Sequence, residues 1–313
     1  MRQVRILVPL ALALVCTLGQ GCPPAMAEAA AGPAPGKLSV VASTSVLADL
    51  VRQVGGEAVA VRPLAPAGAD PHTFQPSPES MRALAQAGVI FYNGSGLEEW
   101  WGKTVRVVSK GDVPIVELSK GLATLQAAGD GHDQGHAHGG GPDPHVWLDP
   151  VLAKTYVERI RDTLAKADPL KASAYADAAK RFLQALDELD GWIRAEIATI
   201  PPARRKMVTF HNAFQYFAKR YGLAVRGYLV ASPGKEPSAK ALAELTRRVK
   251  QEQIPAIFAE ADFNPKLVEA LARDAGVKVV TTLYDGSLTS GPPADTYVTL
   301  MRHNVRQIVN ALR

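Results

Sequence analysis

The sequence predicts an α/β protein of two similar halves, each with a parallel sheet, joined by one long helix. Three observations carry that expectation. From Lys37 onward, short runs rich in β-branched residues alternate with helical patterns, the signature of parallel strands with crossover helices. Four such runs precede a central segment and four follow it. The central segment, residues 171–200, has no proline and a single glycine, Gly191.

The N-terminus reads as a secretory signal. Arg2 and Arg5 precede an apolar run from Ile6 to Leu18, then small residues at Ala25-Met26-Ala27, the order of a cleavable leader. The run is shorter than the ~20 residues that a membrane-spanning helix needs. A cut before Cys22 would leave a lipid-anchored protein, but Gly19-Gln20-Gly21 matches the usual Leu-small-Gly pattern poorly, so the expected cut follows Ala27. Both cysteines, Cys16 and Cys22, would then be lost, leaving no disulfide and no thiol ligand. Residues 28–36 read as a disordered tether.

The strand candidates in the first half are 38–43, 58–64, 89–94 and 114–118; in the second they are 206–211, 224–230, 256–260 and 278–283. Ser77-Pro78, Asp149-Pro150 and Asn264-Pro265 each set a capping side chain before a proline at the first helical position. Asp149 is therefore read as a cap and not a ligand. In the central segment Tyr175, Ala179, Phe182, Leu186, Leu189, Ile193, Ile197 and Ile200 recur at spacings of three and four, one apolar stripe of a single helix. Pro201-Pro202 stops it. The expected organisation is a leader at 1–27, the tether at 28–36, an N-terminal lobe at 37–170, the connecting helix at 171–200 and a C-terminal lobe at 201–313.

Composition narrows the function. The chain has 313 residues, 47% hydrophobic and 21% charged, and a net charge of +5. The Lys and Arg residues alternate with acids along helices, so neither a nucleic-acid groove nor a polybasic membrane patch is expected.

In open parallel sheets, ligands bind at the carboxyl ends of the strands. Four side chains sit just there: His72 after the second strand, His145 in "DPHVWLDP", His211 at the end of the fifth strand and Asp285 after the eighth. If the two crevices face each other, all four converge. Three imidazoles and one carboxylate suit Zn²⁺ at ~2.0–2.2 Å, whereas Mn²⁺ prefers more oxygen ligands. With histidine pKa values near about 6.5, metal affinity is expected to fall steeply below about pH 6. Taken singly, each histidine is an ordinary loop residue, and the spacing has no short signature. His303 reads as a plain helix residue, and Glu260 as structural. Trp100, Trp101 and Trp147 read as packing around the crevice.

A second histidine group, His132, His136 and His138, lies in the glycine-rich loop 129–141 with Asp130 and Asp133. That loop has too little apolar surface to offset its ordering entropy. It is read either as a weak collector of zinc or as a plain linker.

The stretches "GADPHTFQPSPES", "VIFYNGSGLEEWWGK", "DPHVWLDP", "HNAFQYFAKRYGL", "EPSAKALAEL" and "FAEADFNPKL" together resemble the solute-binding proteins of zinc and manganese ABC importers (cluster A-I). The resemblance implies two (β/α)₄ lobes joined by a rigid long helix. It implies metal between the lobes on His72, His145, His211 and Asp285. It also implies a periplasmic, monomeric carrier that hands Zn²⁺ to a permease in the inner membrane. Manganese members usually carry Glu where this chain has His211, and zinc members tend to carry a His-rich loop. Some zinc members have a disulfide in the second lobe, for which this chain has no cysteines. The alternatives are a manganese or ferrous iron carrier of the same class, a surface adhesin, or a zinc hydrolase. The hydrolase would need an open coordination position for water.

Overall fold

The computed structural model describes residues 36–102, 104, 113–122, 125–126, 141–230, 233–234, 236–261 and 264–313. The expected leader, most of the expected tether, both cysteines and His132, His136 and His138 lie outside the described residues.

Two four-stranded parallel sheets account for all eight expected strands. In the first, β1 (Leu38–Thr44), β2 (Val59–Ala65), β3 (Val89–Tyr92) and β4 (Ile115–Glu117) run in the order β2-β1-β3-β4. In the second, β5 (Lys206–His211), β6 (Ala224–Val230), β7 (Ala256–Glu260) and β8 (Lys278–Leu283) repeat that permutation as β6-β5-β7-β8. In each lobe the order reverses at the first strand, which opens a crevice at the strand carboxyl ends.

Period-two alternation divides each sheet between two cores. Val40, Ala42, Val89 and Phe91 face inward, as do Met207, Ala256 and Phe258; all belong to one continuous apolar core shared by the lobes. Val41 and Ile90 face outward onto Ala83 and Leu84 of helix α2 (Pro78–Ala85). Val208 and Ile257 face outward onto helices α6 (Ala239–Gln251) and α7 (Lys266–Ala275).

The shared core is closed by α1 (Ser45–Gly55), α3 (Pro150–Ala167), α4 (Ala172–Ala198) and α8 (Tyr297–Leu312). Helix α4 is the expected connector: 27 residues, about 40 Å at 1.5 Å per residue. Its buried residues are Tyr175, Ala179, Phe182, Leu186, Leu189, Ile193 and Ile197, the stripe expected from the periodicity. It packs on α1 and α3 of the first lobe, and on α8 and on α5 (Gln215–Tyr221) of the second. The connector is thus fastened along its length to both lobes.

The strands of the second sheet keep their expected limits, whereas β1, β2 and β4 shift by one residue, β3 ends two residues early and the connector spans 172–198 rather than 171–200. Strand β3 stops at Tyr92 because the next two backbone N–H groups turn onto the buried Glu98 carboxylate, Asn93 at 2.8 Å and Gly94 at 3.0 Å. Gly94 has φ 85° there, a conformation glycine adopts without steric cost. At helix α7, Pro265 already has helical dihedrals (φ −73°, ψ −14°), and Asn264 Oδ1 accepts from Lys266 N at 3.1 Å, so Asn264 caps with proline at the first helical position as expected. Asp149 does cap α3, accepting from Val151 N at 2.9 Å, and it also pairs with Arg220 of α5.

Leu186 is 0% exposed and Leu170 95% exposed. Leu186→Ala should cost about 2–5 kcal/mol in urea unfolding, and Leu170→Ala no more than about 0.5 kcal/mol. Because one core serves both lobes, the Leu186 variant should still unfold in a single shifted transition. Separate lobe transitions would contradict a shared core.

Candidate metal centre

The tripeptide Asp-Pro-His occurs twice, at 70–72 and at 143–145, and folds alike both times. Asp70 Oδ1 accepts from the His72 backbone N–H at 2.9 Å, and Asp143 Oδ1 from that of His145 at 3.0 Å. These are Asx turns with proline fixing the middle residue. Each turn sets its imidazole into the cluster; the first follows β2, and the second lies directly before the buried turn Val146–Leu148. The His145 turn is pinned further. Asn93 Nδ2 donates to Pro144 O at 3.0 Å, and Tyr216 of the second lobe donates to Asp143 O at 3.2 Å. Val146, Trp147 and Leu148 then bury themselves in the shared core.

His211 is the last residue of β5 and 1% exposed. Asp285 follows β8 and is 4% exposed. Its carbonyl accepts from Trp147 Nε1 across the lobes at 2.6 Å, and the Trp147 carbonyl accepts from Tyr297 at 2.6 Å. Next to Asp285, a polar seam joins the lobes: Gly68 N donates to Ser287 Oγ at 2.7 Å, and Leu288 N to Ser45 Oγ at 3.0 Å. Gly286 packs so closely on Pro71 that an added Cβ would come within 2.7 Å of its ring.

The four side chains singled out in the sequence meet. His72 Nε2 lies 3.2 Å from His145 Nε2, and His145 Nε2 lies 3.3 Å from His211 Nε2. Asp285 Oδ2 lies 3.2 Å from His211 Nε2. Ligand atoms of all three histidines fall within 4.8 Å of one another. Bonds of ~2.0–2.1 Å in a tetrahedron imply ligand-to-ligand edges of about 3.3 Å, so these spacings fit one small cation held in common. Asp143 Oδ1 also touches His145 Nδ1 at 2.8 Å, and Glu260 Oε1 lies 3.3 Å from His211 Nδ1.

Comparison with known proteins places the chain in a family and bears on its fold. Residues 40–311 match the family described as zinc-uptake complex component A, periplasmic. The chain belongs to this family. Among curated relatives, the manganese-binding lipoprotein MntA of Halalkalibacterium halodurans is 34% identical over 276 residues, covering 88% of each chain. Among solved structures, the periplasmic zinc binding protein TroA of Treponema pallidum superposes with a TM-score of 0.78 at 30% identity, over 88% of this chain and 99% of that one. A Mn-bound periplasmic metal binding protein of Candidatus Liberibacter asiaticus superposes with a TM-score of 0.78 at 25% identity, over 88% and 100%. The two-lobed fold implied by the family motifs is thus the fold observed.

Charge is distributed unevenly over the cluster. Burial, reinforced by the neighbouring His145 and His211, drives the His72 pKa well below the usual imidazole range. Burial would do the same to His211, but Glu260 and Asp285 outweigh it and hold His211 well above that range. Burial also pushes Glu260 up, against the pull of His211. Asp285 is held well below the carboxylate range: the facing imidazoles, His211 first, overcome its desolvation.

Several contributors carry little or no signal in the sequence. Asp143 is legible in principle, because it stands two residues before a histidine as Asp70 does. Glu260 is visible as a strand-end acid, expected to be structural; it stands against His211. Asn93, Tyr216 and Tyr297 act across long sequence separations and have no local signature. His303 is an ordinary helix residue, its Nε2 2.7 Å from the Thr282 carbonyl. Trp100 ties the His72 turn by donating to Pro71 O at 3.0 Å.

These shifts set a pH dependence. Before metal arrives, His211 keeps a proton at neutral pH while His72 does not. Linkage gives opposite signs in the metal-free protein. The stability due to His211 is full below about pH 6.5 and is lost as pH rises through its raised pKa. His72 costs stability as pH falls below about 6.5. Zinc binding near pH 7 should therefore release about one proton per ion, seen as a calorimetric heat that varies with buffer ionisation enthalpy. Affinity should already decline between pH 8 and about 6.5, a higher onset than reference histidine values suggest. No proton release near pH 7 would contradict the electrostatics described.

Proposed function

We propose that this chain is the extracytoplasmic solute-binding protein of an ABC importer. It takes Zn²⁺ as cargo between its lobes through His72, His145, His211 and Asp285, and delivers the ion to a permease in the inner membrane. The observation that carries this reading is the convergence of three imidazole nitrogens within 4.8 Å of one another, with successive spacings of 3.2 Å from His72 to His145, 3.3 Å from His145 to His211 and 3.2 Å from His211 to the Asp285 carboxylate, in a chain of the zinc-uptake family. The chain acts as a monomer, with lobes at 37–170 and 201–313 and the connector at 171–200.

Zinc is preferred over manganese because His211 makes the set nitrogen-rich. Manganese is the second reading, favoured by the manganese-binding relative of H. halodurans and by the Mn-bound neighbour of Candidatus Liberibacter asiaticus. A hydrolase is disfavoured: with Asp285 in the set, no vertex remains for a reacting water, and the relatives are named as binding proteins. The lipoprotein name of the H. halodurans relative supports lipid attachment, and Cys22 is the residue that could carry it.

The loop with His132, His136 and His138 is read as a collector that raises local zinc concentration. Its base is near the site: Gln126 bridges Pro142, and Asp143 N donates to Leu125 O at 2.8 Å. Deleting residues 130–141 should lower zinc stoichiometry and leave the tight site intact; unchanged stoichiometry would make the loop a linker.

Competitive calorimetry with zinc and manganese, on wild type and His211→Glu, tests the cargo. Zinc should win in the wild type, and manganese should gain relative to zinc in the variant. A wild type that prefers manganese would reassign the cargo.

A further inference from the structure

Glu260 is an unusual residue to bury. It is 1% exposed, and among the described residues neither carboxylate oxygen has a hydrogen-bond partner of good geometry. A carboxylate is strongly disfavoured in such a place unless something cationic or donating faces it.

Strand register explains what faces it. Thr209 of β5 pairs with Phe258 of β7. Two residues further along these parallel neighbours, His211 and Glu260 end their strands on the same inward face. Glu260 Oε1 lies 3.3 Å from His211 Nδ1. The other ring nitrogen, Nε2, faces His145 at 3.3 Å and Asp285 at 3.2 Å. Glu260 therefore stands on the side of the ring turned away from the cluster, where it cannot reach the ion without moving the imidazole.

We propose that Glu260 is a positioning residue for metal capture: it accepts Nδ1–H of His211 and so leaves the Nε2 lone pair directed at the ion. The inference rests on reading the histidine cluster as the metal site. A neutral imidazole carries one N–H, which can sit on either nitrogen. A proton on Nε2 would donate toward Asp285 or His145 and block coordination. A carboxylate at Nδ1 selects the productive tautomer and strengthens Nε2 as a donor. His145 shows the same solution, with Asp143 Oδ1 at 2.8 Å from its Nδ1. The two fully buried imidazoles thus each have a carboxylate brace from their own lobe. In one case the brace comes two residues earlier in the chain, in the other from the neighbouring strand.

The test compares Glu260→Gln, Glu260→Ala and Glu260→Asp with wild type, with His211→Ala as reference. The readouts are zinc affinity by chelator competition, melting without added zinc, and proton–nitrogen correlation spectra of the histidines in the zinc-loaded protein. The Gln and Ala variants should lose about 10–100-fold in zinc affinity, with part recovered in the Asp variant. Melting of the zinc-free variants checks that each is folded at the temperature of the affinity measurement; the Gln variant should melt lower at neutral pH, where protonated His211 loses a facing carboxylate. The Nδ1–H signal of His211 should vanish in the Ala variant. Wild-type affinity in both Gln and Ala variants, or an Nδ1–H signal of His211 that persists unchanged in the Ala variant, would overturn the proposal. If His211→Ala itself binds zinc like wild type, the cluster is not the metal site and the proposal falls with it. If only His211→Ala loses zinc, the cluster stands and the brace does not.

Discussion

One continuous apolar core fixes the distance between the lobes, and the site depends on that fixed distance. Inward-facing residues of both sheets, from Val40 and Phe91 to Met207 and Phe258, share it with the long connector. Histidines contributed by separate lobes can hold nitrogens 3.3 Å apart only if the two frameworks cannot drift. A pair of flexible linkers would not hold that spacing. Here the segment after His145 and the helix after His211 are both buried in the same core: Trp147 and Leu148 from one lobe, Phe214 and Phe217 from the other.

The other two side chains are held differently. His72 and Asp285 lie on loops that meet across the lobes at a seam of hydrogen bonds, Ser45 and Gly68 against Ser287 and Leu288, with Gly286 packed on Pro71 and the Asp285 carbonyl tied to Trp147. Hydrogen bonds at such a seam exchange with water at modest net cost, whereas separating the apolar core would expose large nonpolar area. His145, His211 and, through Trp147, the Asp285 backbone are anchored in the core, whereas His72 is held through the seam; loosening the His72 loop exposes less nonpolar area than separating the core.

Much of this is legible in the sequence because it is local. Strands follow from β-branched runs, the connector from a stripe of eight apolar residues, and the four converging side chains from their places after strands. What stays hidden is relational. Glu260 gains its meaning only from the β5–β7 register, and Asn93, Tyr216 and Tyr297 only from bonds that join distant segments. Asp143 lies between these cases, since its resemblance to Asp70 is visible but its contact with the His145 ring is not. The pKa pattern is hidden for the same reason. Reference values treat the histidines as equals, while the carboxylates facing His211 set it apart from His72.

The central claim is that one cation sits among side chains from four separate segments. Anomalous diffraction at the zinc absorption edge, on crystals of the zinc-loaded protein, tests it most directly. The account predicts a single strong peak about 2.0–2.2 Å from Nε2 of His72, His145 and His211 and from a carboxylate oxygen of Asp285. A dominant peak elsewhere, or one in the crevice that these histidines do not contact, would contradict it.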